Sequence, residues 1–146
     1  MIQKTSDYIS WLKTYIEETY KTPILENFLD LQIQDIKKGE ITYSCKIKDM
    51  HSRFYGFAHG GALASICDIA MGMSCITLDK LVVTIDMNIS YIKNVRAGET
   101  IIAKGKVISE GKTIMRAIGE IYYNEQLLVK SQASYFIKGT FRGNNM

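Results

Sequence analysis

The chain has 146 residues, 47% of them hydrophobic, with 18 basic against 15 acidic side chains and a net charge of +3. That length suits one domain able to bury roughly 70% of its unfolded surface, so no second domain is required. No run of about 18 uncharged apolar residues offers a membrane span, and neither a block of like charges nor basic residues interleaved with aromatics point to nucleic acid. A modest positive balance suits an anionic small molecule. Asp7, Glu17 and Glu18 interrupt every apolar run near the N-terminus, so no signal pattern is expected and a cytoplasmic location follows. Cys45, Cys67 and Cys75 lack the spacing of a zinc site or redox motif and are expected to be reduced core residues, with no metal.

In chain order, Ser6 is a candidate cap for a helix whose apolar positions Tyr8, Ile9, Leu12, Ile16 and Tyr20 follow helical spacing. Thr22 and Pro23 look like a second helix start, leading through Ile24, Leu25, Phe28 and Leu29. The period then changes. Leu31, Ile33 and Ile36 suggest a first strand, Lys38 and Gly39 a turn, and Ile41, Tyr43, Cys45 and Ile47 alternate with polar residues as in a strand with one wet face. Residues 49–59 carry neither period and form a loop into a helix from Gly60 to about Thr77.

Leu81 to Ile92 reads as a long strand with Leu81, Val83, Ile85, Met87, Ile89 and Tyr91 on one face. Residues 99–109 and 113–123 make a hairpin across Glu110, Gly111 and Lys112, and a turn at Asn124 and Glu125 leads to a last strand from Leu127 to Ile137. Connections this short exclude parallel crossovers. The expected class is α+β: a six-stranded antiparallel sheet wrapped round a central helix, with N-terminal helical segments at 1–30, the main domain at 31–138 and a loose tail at 139–146.

The central helix, His59 to Ser74 with the sequence HGGALASICDIAMGMS, is apolar all round except for one carboxylate, Asp68. An ionised carboxylate in apolar surroundings costs several kcal/mol by rough estimate unless something compensates it. Asp68 is therefore a candidate for chemistry.

The stretches GFAHGGALASICDIA, VVTIDMNISYIKNVRAGE and GKTI, within about His51 to Ser134, resemble the hotdog-fold acyl-CoA thioesterases of the phenylacetate-degradation type. The shared pattern is an Asn, a Gly, His-Gly-Gly, a helix Asp nine residues after the His, and a strand T-x-D-x-x-x-x-Y. His59, Gly60, Gly61, Asp68, Thr84, Asp86 and Tyr91 fit it. The resemblance implies a hotdog dimer, usually paired again into a tetramer, that hydrolyses a small or medium acyl-CoA to the free acid and CoA without a cofactor. It also implies substrate contacts at Arg53, Gly61, Tyr91, Lys112 and Thr113.

The residues bear on that chemistry independently. Thioester hydrolysis needs a donor where negative charge grows on the carbonyl oxygen, and a carboxylate or base to attack or to activate water. The first N–H groups of a helix have no intrahelical partners and carry the positive end of its dipole, which makes Gly60 and Gly61 candidate donors. Eight residues at about 1.5 Å each place Asp68 roughly 12 Å further along the axis, out of reach of a carbonyl bound at its own helix start. If Gly60 and Asp68 act together, two helices must meet across a two-fold axis. Gly60 N–H is then the oxyanion donor, the partner's Asp68 the nucleophile or general base, and the partner's Thr84 the hydroxyl that holds the water.

Each residue also has a structural reading. Asp68 would bond to backbone or Ser65, Thr84 would be an ordinary strand residue, and His59 would bond backbone at the helix entry instead of serving as a base. Arg53 departs from the pattern by standing where the family has Asn. Three readings are open: its guanidinium replaces the amide as oxygen donor, it pairs with a phosphate or substrate carboxylate, or the site has lost its rate and kept its ligand, and the first two together are preferred. Lys93, Arg96, Lys112 and Arg116 are candidate phosphate contacts for CoA. The competing class is a non-catalytic acyl-CoA binding or sensing module. A DNA reader is disfavoured because Glu17, Glu18 and Glu26 make the leading helices a poor helix-turn-helix, and a dehydratase because His59 lies in the wrong part of the motif.

Overall fold

The computed structural model describes residues 2–145, with side chains from Asp7 onward. The first helix, α1 (Ile2–Thr19), begins upstream of Ser6, which therefore lies inside the helix and does not cap it. Its stripe of Tyr8, Leu12 and Ile16 is buried as the spacing predicts. The second helix is a single turn, α2 (Leu25–Phe28), capped at Ile24, so Thr22 and Pro23 belong to the preceding bend.

Strands β1 (Gln32–Lys37) and β2 (Glu40–Lys46) form the first hairpin around Gly39, whose φ of 80° favours glycine. Along β2, Ile41, Tyr43 and Cys45 are buried and their neighbours are not, as alternation requires. After a loop containing a short 3-10 turn (Asp49–His51), the chain enters α3 (Gly60–Ile76). Then follow β3 (Leu81–Tyr91), β4 (Thr100–Glu110), β5 (Ile114–Tyr123) and β6 (Gln126–Gly139). Asn124 and Glu125 both have positive φ, the geometry of a tight two-residue hairpin turn between β5 and β6.

The six strands make one sheet in the order β1-β2-β4-β5-β6-β3, and every pairing is antiparallel. The sheet wraps α3, whose Leu63, Ile66, Cys67, Ala70, Met71 and Cys75 share one core with Tyr43, Ile101, Met115, Ile121, Val129 and Tyr135. Helix and sheet approach at Gly105 and Gly119, which pair with each other across β4 and β5. A Cβ on Gly105 would stand 2.1 Å from the Ala70 carbonyl oxygen, and one on Gly119 would stand 2.9 Å from the Met71 side chain. Gly105→Ala is therefore expected to destabilise the fold by roughly 3 kcal/mol, because the obstacle is backbone and cannot rotate away; chemical denaturation measures it.

Two expectations change on contact with the structure. The helix α3 is not covered all round: Ala64, Ser65, Asp68 and Gly72 form a half-exposed stripe of mostly small residues. Strand β3 does not keep strict alternation, because the register with β6 slips between Thr84 and Asp86. This bulge at Ile85 puts Val82 and Thr84 on the same side as Met87 and Ile89, while Val83 and Ile85 are exposed. Beyond Gly139 the chain forms a helical turn, α4 (Phe141–Asn144). The Phe141 ring lies edge-on to Trp11 and Tyr15, and Arg142 sits over Trp11.

Candidate active site

The predicted site residues fall into two groups at different places along α3. At the N-terminus of the helix, His59 is the cap, its Nδ1 accepting from Gly61 N–H at 3.1 Å. Tyr91 OH donates to the Gly60 carbonyl oxygen at 2.7 Å. The peptide joining Gly60 to Gly61 is thus held at both its N–H and its C=O, and His59 has the structural role foreseen for it. Gly61 N–H is occupied, whereas Gly60 N–H has no partner among the described residues. Of the two candidate oxyanion donors, only Gly60 is presented.

Arg53 comes to the same place. A tight turn, closed by Gly56 N–H to the Arg53 carbonyl at 3.0 Å, carries it back so that Nη2 lies 3.5 Å from where a Gly60 Cβ would stand. Arg53, Gly60, Leu63, Tyr91 and Lys93 line a cleft of about 320 Å³. No carboxylate lines it, and Arg53 and Lys93 form no ion pair among the described residues. With the helix dipole added, the cleft is a positive site. Arg96 stacks over Phe57, 4.5 Å from the ring centroid, just behind the Arg53 turn.

The second group surrounds Asp68. Thr84 Oγ1 donates to Asp68 Oδ1 at 2.9 Å, so the strand and the helix bring together the two residues expected to share work. Ser65, the expected structural partner of Asp68, instead donates from Oγ to the Gly61 carbonyl at 2.9 Å. A residue that sequence reasoning missed completes the group: Tyr135 OH lies 2.8 Å from Asp68 Oδ1 and 2.9 Å from its main-chain oxygen. Tyr135 alternates with core residues of the last strand, so nothing but the need of a buried phenol for a partner marked it. Burial, reinforced by the Asp68 carboxylate, raises its pKa far above the usual tyrosine range and keeps the hydroxyl a donor. Cys67, next to Asp68, is pushed up to about 11 by burial and is a neutral core thiol, not a nucleophile.

Lys112 and Thr113 are exposed on the β4–β5 hairpin. The register of Ile114 with Phe136, and of Phe136 with Val83, sets this hairpin at the Thr84 end of the sheet. Within one chain it therefore belongs with the Asp68 group and not with Gly60. His51, which the sequence left in a loop, is a buried tie: Nδ1 accepts from Lys48 N–H at 3.1 Å and Nε2 meets the Phe28 carbonyl at 2.5 Å.

An antiparallel sheet wrapped round one long helix is the hotdog architecture, and comparison with known proteins agrees. The thioesterase superfamily sequence model matches residues 55–130, just over half of the chain, so the chain belongs to the thioesterase superfamily. Human acyl-coenzyme A thioesterase 13 is 31% identical over 78 residues, 52% of this chain and 56% of that protein. A hypothetical thioesterase protein from Streptococcus pneumoniae, crystallised with coenzyme A, superposes with a TM-score of 0.73 at 26% identity, covering 75% of this chain and 90% of that one. The Escherichia coli PaaI protein of the phenylacetic acid degradation operon shares the fold, with a TM-score of 0.81 at 20% identity over 90% of this chain and 95% of its own.

Proposed function

We propose that this protein is an acyl-CoA thioesterase for small or medium acyl groups, whose active sites form across the two-fold axis of a homodimer. The observation that carries the reading is the division of the chemistry: an unpartnered Gly60 N–H beside Arg53 at one place, and Asp68 with Thr84 about 12 Å along the same helix. Each group is half of what thioester hydrolysis requires. The donor half stabilises charge on the carbonyl oxygen, and the carboxylate half acts on the carbonyl carbon, as base to a water or as nucleophile, while CoA leaves as the thiolate.

Two surface features support pairing. Strand β3 is an edge of the sheet, long and unpaired on one side, with Val83 and Ile85 each half exposed at 50%. The half-exposed stripe of Ala64, Ser65 and Gly72 beside Asp68 leaves room for a second backbone to approach. Pairing that brings one helix start to the other chain's Asp68 also brings Arg53 and Lys93 of one chain near Lys112 of the other, a set of cations suited to the phosphates of CoA. Two dimers pair again in the proposed tetramer, as the family resemblance implies.

Arg53 takes the place of the family's Asn as second donor to the oxyanion. Arg53→Ala is therefore expected to lower kcat by roughly a hundredfold, with Arg53→Asn retaining most of the rate. Unchanged turnover and unchanged CoA affinity in Arg53→Ala would remove this role. The reading as a whole is tested by free-thiol release from short, medium, long and aromatic acyl-CoAs. Saturable release establishes the activity and ranks the substrates, whereas acyl-CoA binding without release leaves a binding module.

A further inference from the structure

We propose that Tyr135 is a positioning residue for hydrolysis: together with Thr84 it engages Oδ1 of Asp68 and leaves Oδ2 as the oxygen that meets the substrate or its water. The inference rests on the thioesterase reading and adds a residue that the sequence pattern of the family does not include. Tyr135 and Thr84 are direct cross-strand partners on β6 and β3. Thr84, just before the bulge of β3, and Tyr135, in step with Ala133 and Ser131 along β6, both face α3, and their hydroxyls converge on a single carboxylate oxygen at 2.9 and 2.8 Å. Oδ2 has no partner among the described residues. An oxygen that accepts two hydroxyl protons gives up charge to them and is the weaker base and nucleophile, so reactivity passes to its twin.

The ring is as fixed as the hydroxyl. Tyr135 is 2% exposed, and Gly72, one helical turn after Asp68, leaves its Cε1 only 3.4 Å from where a Cβ would stand. Burial and the neighbouring carboxylate keep the phenol protonated, so it donates throughout the range in which the protein works. The single hydroxyl proton of Tyr135 lies between the Asp68 main-chain oxygen at 2.9 Å and Oδ1 at 2.8 Å, and the charged carboxylate is the stronger acceptor of the two.

The test compares Tyr135→Phe, Thr84→Val, their combination and Asp68→Asn in the intact homo-oligomer, using the acyl-CoA that the wild type hydrolyses best. Tyr135→Phe keeps the ring and removes only the hydroxyl. The expected result is a fall in kcat of roughly ten- to a hundredfold with KM little changed, since orientation at the reacting atom is lost and substrate binding is not. Because either donor alone still holds Oδ1, the double variant should lose more than the product of the two single losses. A kcat for Tyr135→Phe within about twofold of wild type, with Asp68→Asn inactive, overturns the inference and spares the thioesterase reading. A lowered melting temperature with unchanged kcat likewise marks Tyr135 as packing alone. Absence of thiol release from the wild type overturns both.

Discussion

Asp68→Asn is expected to lower kcat for thiol release by about three orders of magnitude or more while leaving the fold and acyl-CoA binding intact. The substitution is nearly isosteric. The Asn carbonyl still accepts from Thr84 and Tyr135 in place of Oδ1, so the contacts that hold α3 to β3 and β6 persist. What disappears is the capacity of the other oxygen to take a proton or attack a carbonyl, because an amide nitrogen has no available pair for either. Thiol release under saturating acyl-CoA, with a parallel thermal melt, measures the effect. A rate within tenfold of wild type would mean that the carboxylate is structural and that the catalytic assignment is wrong.

The second large effect concerns the division of the site between chains. Gly60→Pro deletes the N–H at the start of α3 that has no partner among the described residues, at small structural cost. Proline is favoured at the first helical position, and His59 before it already has the extended conformation that proline demands, with φ −69° and ψ 132°. Loss of an oxyanion donor is expected to cost roughly 10²- to 10³-fold in kcat. Gly60→Pro and Asp68→Asn chains, each nearly inactive alone, should restore activity when unfolded and refolded together. In a random mixture about half the dimers are mixed and each has one intact site of two, so about a quarter of wild-type activity should return. If donor and carboxylate served one site within a single chain, mixing would restore nothing. The experiment therefore separates a shared site from two self-contained ones without reference to any interface contact.

Much of this architecture is legible in the sequence, for reasons that also explain where legibility ends. Alternation in β2 is plain because one face meets the core and the other meets water. Alternation in β3 misleads because one extra residue at Ile85 reverses the faces partway along, and a bulge leaves no trace in a pattern of apolar residues. The Asp68 and Thr84 pair is visible as a lone carboxylate in an apolar helix joined to a family pattern. Tyr135 is invisible because it shares the core-facing side of its strand with Val129, Ser131 and Ala133 and so reads as packing, and only the register of β3 on β6 sets it opposite Thr84. Gly61 looks equivalent to Gly60 as a donor until the His59 ring is seen to occupy its N–H. The helix apolar on every side suggested complete burial, whereas in the single chain one stripe stays half open.

Because Gly105 and Gly119 let α3 rest on the sheet through its Ala70 backbone and its Met71 side chain, the sheet sets both the depth and the axial position of the helix. The helix in turn carries the carboxylate along its length and the free N–H at its tip. The trough therefore acts as a ruler: it fixes the spacing between the Gly60 N–H and Asp68, the two halves of the proposed site. The loop around Arg53 and the hairpin around Lys112 stand at the rims of the groove, free of that constraint. The floor of the groove has no such freedom, since a single added methyl at Gly105 would shift the ruler itself.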